Sequence, residues 1–366
     1  MSDRFEVRLA TAADERDLRA LVGSVAMPGA VAVRFAREPD YFLGTTIMGD
    51  PCDVVVARDR ADGALAGFAC RAERPAFVNG AIERVGYVGQ IRVADGYRGA
   101  GLLARGARLL RARTPSGQLA FGVLARENPR AIGALVGARP PGGMRAVRLG
   151  GLTTCAVLLR PRRPARAPGI AVRPASTAVL PDVVAFLHAE GARRQLFPVY
   201  ALEDFTGGTA LRGIAPEDVQ VAWRGDRIVG TLAVWDQSGF KQDVVAGYGA
   251  PLRRWKPLLD AAARLVGARP LTPPGAAIPL AFAALARVAD DDPVVFHALL
   301  VAAAEAARVR GKGFLMVGLA DADPLLAVAR RFLHVPYRSD LYALAWSEDP
   351  RARLDGRVPQ IEIATL

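Results

Sequence analysis

The sequence predicts an α+β protein made of two tandem copies of one fold, each a mixed, mostly antiparallel sheet flanked by helices. Three observations support this prediction. The chain has 366 residues, enough for two domains that each bury a core. Prolines and arginines interrupt the hydrophobic pattern at 161–171, which is typical of an extended linker. The same order of predicted elements lies on both sides of that linker, and so long a repeat indicates two copies of a domain rather than a solenoid.

In the first predicted domain, 1–160, hydrophobic periodicity gives strands and helices in a fixed order. Thr11 can cap the first helix, and Asp14 and Glu15 are the acidic residues expected in its first turn. Turn residues at 59–63 separate the strands of a hairpin. The predicted elements are strand Val7–Leu9, helix Thr11–Val22, strands Val54–Ala57, Leu65–Ala72 and Glu83–Val93, helix Leu102–Arg113, strand Leu119–Leu124, helix Pro129–Val136 and strand Leu149–Leu159.

The second predicted domain, 172–349, repeats that order with different residues. Its hairpin turn falls at 224–227, and a tail, 350–366, follows it. The end of the tail, 360–366, is apolar enough to pack onto the protein. The predicted elements are strand Ile170–Arg173, helix Leu180–Glu190, strands Val219–Trp223, Ile228–Trp235 and Leu280–Val288, helix Val294–Arg310, strand Phe314–Leu319, helix Pro324–Phe332 and strand Leu341–Trp346.

Composition excludes several classes of protein. Hydrophobic residues make up 51% of the chain and charged residues 23%, so the chain is neither disordered nor collagen-like. No uninterrupted apolar run reaches the roughly 20 residues of a membrane helix, and no apolar leader follows the N-terminus, so we expect a cytoplasmic protein with no membrane partner. Cys52, Cys70 and Cys155 form no CxxC pair, so the sequence predicts neither a disulfide framework nor a metal site.

The positive charge is concentrated in the first half. Residues 1–160 carry 23 basic and 15 acidic side chains, whereas 172–366 carry 22 and 21. A polyanionic ligand is therefore expected on the first half, and a phosphorylated cofactor satisfies this as well as a nucleic acid does. No nucleic-acid-binding motif is present, so we do not expect a nucleic-acid partner.

The most informative segment is the turn between the strand Glu83–Val93 and the helix Leu102–Arg113. Gly99 and Gly101 allow a tight turn, which lets successive N–H groups at the helix start face an anion. Arg98 adds a positive charge beside the same point. The sequence therefore predicts that this turn holds a diphosphate, mainly through main-chain donors.

Residues 83–136 resemble the central motif of the GNAT superfamily of acyl-CoA N-acyltransferases. The pattern of Arg or Gln, two residues, Gly, one residue, then Gly or Ala matches 98–103, and Asn128 opens the next helix. The resemblance implies acetyl-CoA or another acyl-CoA as co-substrate and no metal. It also implies that the strand before the turn is splayed from its neighbour. The implied cofactor-binding residues are Ile91, Arg92, Val93, Arg98, Gly99, Ala100, Gly101, Leu102, Leu103 and Asn128.

The chain departs from the superfamily's pattern at two positions, one in the cofactor motif and one where a proton donor is usual. Leu103 replaces the usual Gly or Ala, and Leu135 stands where many members have a tyrosine that protonates the departing thiolate. Tyr87 and Glu83 are the candidate catalytic residues. Tyr87 is expected to share a strand face with Ile91 and Val93, with Gln90 on the opposite face. In some tandem members a terminal carboxylate acts as the base, and the tail ending at Leu366 offers the same possibility.

The second copy has a different turn at the equivalent place. Asp290, Asp291 and Asp292 would repel a diphosphate there, so we expect this copy not to bind coenzyme A. A helix N-cap explains these carboxylates better than a metal site does.

The sequence as a whole predicts an N-acetyltransferase that passes an acyl group directly to a small-molecule or peptide amine. Two alternatives stay open: a non-catalytic acyl-CoA-binding scaffold, and an aminoacyl-tRNA-dependent transferase. The oligomeric state also stays open.

Overall fold

The sheet at the centre of the protein continues from the first half of the chain into the second. The computed structural model describes residues 4–27, 29–136, 141–346 and 349–366. Their strands are β1 (Phe5–Leu9), β2 (Ala26–Met27), β3 (Val31–Ala36), β4 (Cys52–Asp59), β5 (Leu65–Val78), β6 (Ala81–Val93), β7 (Ala120–Ala125), β8 (Arg145–Leu158), β9 (Ala171–Pro174), β10 (Val219–Arg224), β11 (Arg227–Trp235), β12 (Gln242–Tyr248), β13 (Leu280–Val288), β14 (Phe314–Ala320) and β15 (His334–Ala345). Their α-helices are α1 (Glu15–Ser24), α2 (Leu102–Arg113), α3 (Pro129–Val136), α4 (Leu180–Gly191), α5 (Leu202–Phe205), α6 (Ala250–Leu265), α7 (Pro293–Val309) and α8 (Leu326–Ala329).

Twelve of these strands form one sheet in the order β1-β4-β5-β6-β7-β15-β8-β14-β13-β11-β10-β9. Two neighbouring pairs are parallel, β6 with β7 and β13 with β14, and each is connected by one long helix, α2 or α7. All other pairs in this sheet are antiparallel. The predicted fold class, a mixed and mostly antiparallel sheet flanked by helices, is confirmed.

The two halves exchange their last strands. β15, from the end of the second half, lies between β7 and β8 and pairs with both. β8, from the end of the first half, pairs with β14 of the second half. Each half therefore completes its sheet with a strand from the other. The predicted linker, 161–171, contains no helix or strand apart from its last residue, which begins β9.

Several elements differ from the sequence prediction. The helix expected at Pro324–Phe332 is reduced to the single turn of α8. The closing strand expected at Leu341–Trp346 begins earlier, at His334, because the whole of β15 finds partners in β7 and β8. The sequence analysis missed α6, in which no residue is buried. No helix among the described residues is long and apolar enough to cross a membrane.

A second, smaller sheet also joins the halves. It has the order β12-β3-β2, and β12 of the second half pairs with β3 of the first from Gln242–Ala36 to Tyr248–Val31. The sequence analysis did not predict these strands, since β3 and β12 pair only through a contact between residues about 200 positions apart, and β2 has only two residues.

The large sheet has two covered faces in the first half. On one side of β6, Val85 and Tyr87 pack in the hydrophobic cluster that contains Leu18 of α1, and we call this side the Tyr87 face. On the other side of β6, Val88 packs with Leu110 of α2, and we call this side the α2 face. The residues predicted to bind the cofactor lie where β6 reaches the start of α2.

Candidate functional site

The turn into α2 has the geometry of an anion site. Gly99 and Gly101 have φ of +83° and +74°, a region that residues with a side chain rarely adopt. A Cβ added to either glycine would meet no atom within 4 Å, so the space beside the turn is open. Gly101 is the N-cap of α2, and no side chain caps the helix. The first N–H groups of α2 therefore face outward with the positive end of the helix dipole behind them.

A cleft runs from this turn along the α2 face of β6. β6 and β7 pair only at Gly86–Ala120 and Tyr87–Phe121, and beyond that point the two strands separate. The cleft encloses about 50 Å³. Its walls are almost entirely apolar and include Val55 of β4, Val88, Ile91 and Val93 of β6, Leu102, Leu103, Gly106, Ala107 and Leu110 of α2, Leu135 of α3, and Met144. We call this space the α2 cleft.

Most of the predicted cofactor residues meet at the α2 cleft or its mouth. Ile91, Arg92, Val93, Leu102 and Leu103 line it. Gly99, Ala100 and Gly101 form the turn at the mouth.

The other two predicted cofactor residues have partners of their own. Arg98 is half exposed and pairs with Asp95 at 2.5 Å between Nη2 and Oδ1. Asn128 is exposed, and its Oδ1 accepts a hydrogen bond from the N–H of Ala131, which caps α3.

A bulge in β6 makes the predicted strand parity wrong. Gln90 has a positive φ of +53°, and the pairing with β5 shifts between Phe68 and Cys70. Two residues of β6 therefore oppose one residue of β5, and beyond the bulge the side chains of β6 point to the face opposite to the one expected. Gln90 turns to the Tyr87 face, where Tyr41 Oη donates to its Oε1 at 3.1 Å.

The two candidate catalytic residues lie in very different places. Tyr87 is buried beside Phe121, with ring centroids 5.3 Å apart. Burial raises the pKa of its hydroxyl above the ordinary value of 10, so the phenol stays protonated at neutral pH and can donate a proton but not remove one.

Glu83 lies near the opposite end of β6, eight residues from Ile91 and so about 25 Å away along the strand. Its carboxylate accepts a hydrogen bond from Arg353 at 2.8 Å. The structure does not bring Glu83 to the cleft.

Sequence reasoning missed a polar cluster on the Tyr87 face, between the two halves. Its members are Arg37, Arg74 and Arg92 from the first half, and Lys241, Asp243 and Glu362 from the second half and the tail. We call these six residues the interface cluster. The only sequence signal near it was the apolar tail, which does pack onto the protein, since Ile361, Ala364 and Thr365 are all buried.

Contacts with the tail hold the interface cluster together. Arg74 Nη1 donates to Thr365 Oγ1 at 2.7 Å. Lys241 Nζ donates to the carbonyl of Ala364 at 3.0 Å and to an oxygen of the terminal carboxyl group of Leu366 at 2.6 Å. Leu366 packs on the same hydrophobic cluster as Tyr87.

Burial controls the protonation of this cluster. It lowers the pKa of Lys241 to about 7, with the charge of Arg37 acting in the same direction. It raises the pKa of Glu362 to about 7, although Glu362 Oε2 accepts the N–H of Leu285 at 3.0 Å. It also raises the pKa of Asp243. Because water stabilises each charge better than this interior does, both signs of charge are disfavoured.

At the equivalent turn in the second half, a side chain of the turn itself accepts hydrogen bonds from the N–H groups at the start of the helix. Asp292 Oδ1 accepts the N–H groups of Val294 and Val295, so it caps α7 as the sequence analysis expected. The other two carboxylates pair with arginines: Asp290 with Arg193, and Asp291 with Arg194 and Arg287. The donors that are open at the start of α2 are therefore satisfied internally at the start of α7.

Comparisons with known proteins identify the fold. No protein-family profile matches the chain, and no curated protein is similar to it in sequence. N-myristoyltransferase of Saccharomyces cerevisiae, solved with bound myristoyl-CoA, matches 99% of this chain over 90% of its own, with a TM-score of 0.61 and 11% identity. A GCN5-related N-acetyltransferase from Sphaerobacter thermophilus matches all of both chains, with a TM-score of 0.56 and 15% identity.

A third structure has the same fold. It is the GCN5-related glucosamine N-acetyltransferase region of a fungal multi-domain β-N-acetylglucosaminidase, which matches 93% of this chain over 38% of its own, with a TM-score of 0.58 and 14% identity.

Proposed function

Because this chain has the GNAT fold, we propose that it is an acyl-CoA-dependent N-acyltransferase, and that acetyl-CoA is its acyl donor. The observation that carries the proposal is the α2 cleft, an apolar groove that opens at an uncapped helix N-terminus. A diphosphate fits the turn at Gly99 and Gly101, and an extended apolar arm fits the groove behind it.

Acetyl-CoA is the proposed donor because two of the structures with the same fold are N-acetyltransferases.

We propose direct transfer to an amine that approaches from the Tyr87 face. The amine nitrogen attacks the thioester carbon, a C–N bond forms, and the C–S bond breaks to release the thiolate of CoA. The nitrogen loses one proton to water and the thiolate takes up one, so the transfer produces no net charge. Tyr87 is our candidate donor of the second proton, because it lies on β6, the strand that borders the cleft. Tyr87→Phe should lower kcat and leave the dissociation constant for acetyl-CoA unchanged.

Calorimetric titration of acetyl-CoA and CoA tests the cofactor site. The wild type should bind both ligands, and Gly101→Glu should weaken binding at least tenfold because it puts a carboxylate beside the diphosphate. Gly63→Glu is the matched control, since Gly63 has the same φ of +74° and equally open surroundings, but lies in the β4–β5 turn. Equal loss in both variants would indicate backbone strain, and no binding by the folded wild type would refute the proposal.

A non-catalytic acyl-CoA-binding protein is the second candidate. Leu135 favours it, because a buried leucine that lines the cleft replaces an expected proton donor. Thiol release from acetyl-CoA, measured across a panel of amines, separates the two functions. Binding without release for any amine would favour the second.

A further inference from the structure

The buried arginines of this protein fall into two groups. Among the described residues, five arginines are buried: Arg37, Arg71, Arg74, Arg194 and Arg287. Three of them have carboxylate partners. Arg71 pairs with Glu73 and Asp53, Arg194 with Asp291 and Asp323, and Arg287 with Asp291 and Glu190. This is the usual condition for a buried guanidinium, because an unpaired charge is costly to remove from water.

Arg37 and Arg74 are the exceptions, and both belong to the interface cluster. Neither has a carboxylate within 4.0 Å in the part of the chain that the structure describes. Arg37 Nη1 donates only to a neighbouring carbonyl, that of Ala36, at 3.0 Å. Arg74 Nη1 donates to Thr365 Oγ1, while its Nε and Nη2 are buried without a hydrogen-bond partner. The hydroxyl of Tyr200 is also buried without a hydrogen-bond partner.

Two more basic residues, Arg92 and Lys241, belong to the interface cluster. Arg92 follows Ile91 on β6 and turns to the Tyr87 face, where its Nη1 donates to the carbonyl of Ile91 at 3.0 Å. Its Nε is buried without a partner. Lys241 donates to the carbonyl of Ala364 and to an oxygen of the terminal carboxyl group of Leu366. The interface cluster therefore holds four basic side chains, and the carboxyl groups beside them are those of Asp243, Glu362 and the terminal residue Leu366, the last of which Lys241 contacts.

We propose that the interface cluster binds an anionic group of the acceptor, so that the acceptor is an amine that also carries a carboxylate or a phosphate. Arg74 and Arg92 have unused donors for its oxygens, and Arg37 adds charge. Guanidinium groups suit this role because their fixed fork of N–H donors matches both anions. The inference rests on the proposed function, since it assigns the acceptor side of the same site.

Calorimetry of inorganic phosphate and of malonate tests the anion site without knowledge of the acceptor. The protein is first saturated with CoA, so that the turn at Gly101 is occupied, and chloride keeps the ionic strength constant. Wild type should bind at least one of the two anions, and Arg74→Met and Arg92→Met should each weaken that binding at least tenfold, which is about 1.4 kcal/mol. Arg194→Met is the control and should leave anion binding unchanged, because Arg194 is already paired with carboxylates.

The stability of the ligand-free variants supplies an independent readout. Arg74→Met should lose less stability than Arg194→Met, because the first removes an uncompensated charge and the second leaves carboxylates without a partner. Equal anion binding by the wild type and both cluster variants would show an adventitious ion only and overturn the inference. Failure of both anions to bind the wild type would overturn it as well.

Turnover then distinguishes the two anions. Thiol release is compared within matched pairs, β-alanine with β-alaninamide and O-phosphoethanolamine with ethanolamine. The charged member of one pair should react at least tenfold faster by kcat/KM, and preference for the neutral members would contradict the inference. If CoA itself does not bind, the proposed function fails, but phosphate and malonate binding to Gly101→Glu still tests the anion site.

Discussion

The raised pKa of Glu362 predicts an unusual dependence of stability on pH. Its carboxyl group is buried and has an ordinary pKa of 4.5 that rises to about 7 in the folded protein. Between these two values the folded chain keeps a proton that the unfolded chain has lost. The stabilising contribution is therefore complete below pH 4.5 and is lost as the pH rises through 7.

The magnitude follows from the two pKa values. Each pKa unit corresponds to about 1.4 kcal/mol, so Glu362 alone should lower the free energy of unfolding by about 2–3 kcal/mol between pH 5 and pH 8. Glu362→Gln removes this titration and can keep the hydrogen bond from the N–H of Leu285, because the amide oxygen is also an acceptor. Relative to the wild type, the variant should gain about 2–3 kcal/mol in the free energy of unfolding as the pH rises from 5 to 8.

Urea unfolding at pH 5 and pH 8 measures this difference. Glu73→Gln is the control, since hydrogen bonds from Arg71 and Arg84 outweigh burial and keep the pKa of Glu73 below its ordinary value. That variant should lose the same stability at both pH values. Parallel curves for the wild type and Glu362→Gln would refute the reasoning, because they would show that Glu362 does not titrate in this range.

Three further predictions follow from the packing. Gly106→Leu should fill the α2 cleft and weaken acetyl-CoA binding at least tenfold by calorimetry, without loss of thermal stability, because leucine is the better helix former. Asp292→Ala should cost about 1 kcal/mol in urea unfolding, through loss of the α7 cap, and Asp292→Ser should recover most of it. Gly318→Ala should cost about 1–3 kcal/mol, because its Cβ would lie 2.5 Å from Ile363 Cδ1, and adding Ile363→Ala should restore part of that loss.

The parts of the site that depend on local sequence could be predicted. Helices α2 and α3 begin and end at the predicted residues, since glycines precede the first and an asparagine and a proline open the second. The turn at Gly99 and Gly101 could also be predicted, because a turn that needs positive φ angles requires glycines, and these can be read directly from the sequence.

The parts that depend on distant contacts could not be predicted. Gln90 has no feature that identifies it as a bulge, and its positive φ arises from the register of β6 against β5. Arg74, Lys241 and Glu362 are far apart in the chain, and each resembles an ordinary charged residue until the tail brings them together. The face of Tyr87 was assigned wrongly relative to Ile91 for the same reason, since parity assumes an unbroken strand.

The exchange of β8 and β15 has a consequence for synthesis of the chain. When the first half leaves the ribosome, the strand that belongs beside β7 lies more than 200 residues away and has not yet been made. Such late contacts slow folding, and they leave the edge of β7 unpaired until the second half appears. Once the chain has folded, the same exchange holds the two halves together without the linker. A single cut within 161–171 would leave two fragments that hold each other through the crossed strands, whereas neither fragment produced alone could complete its sheet.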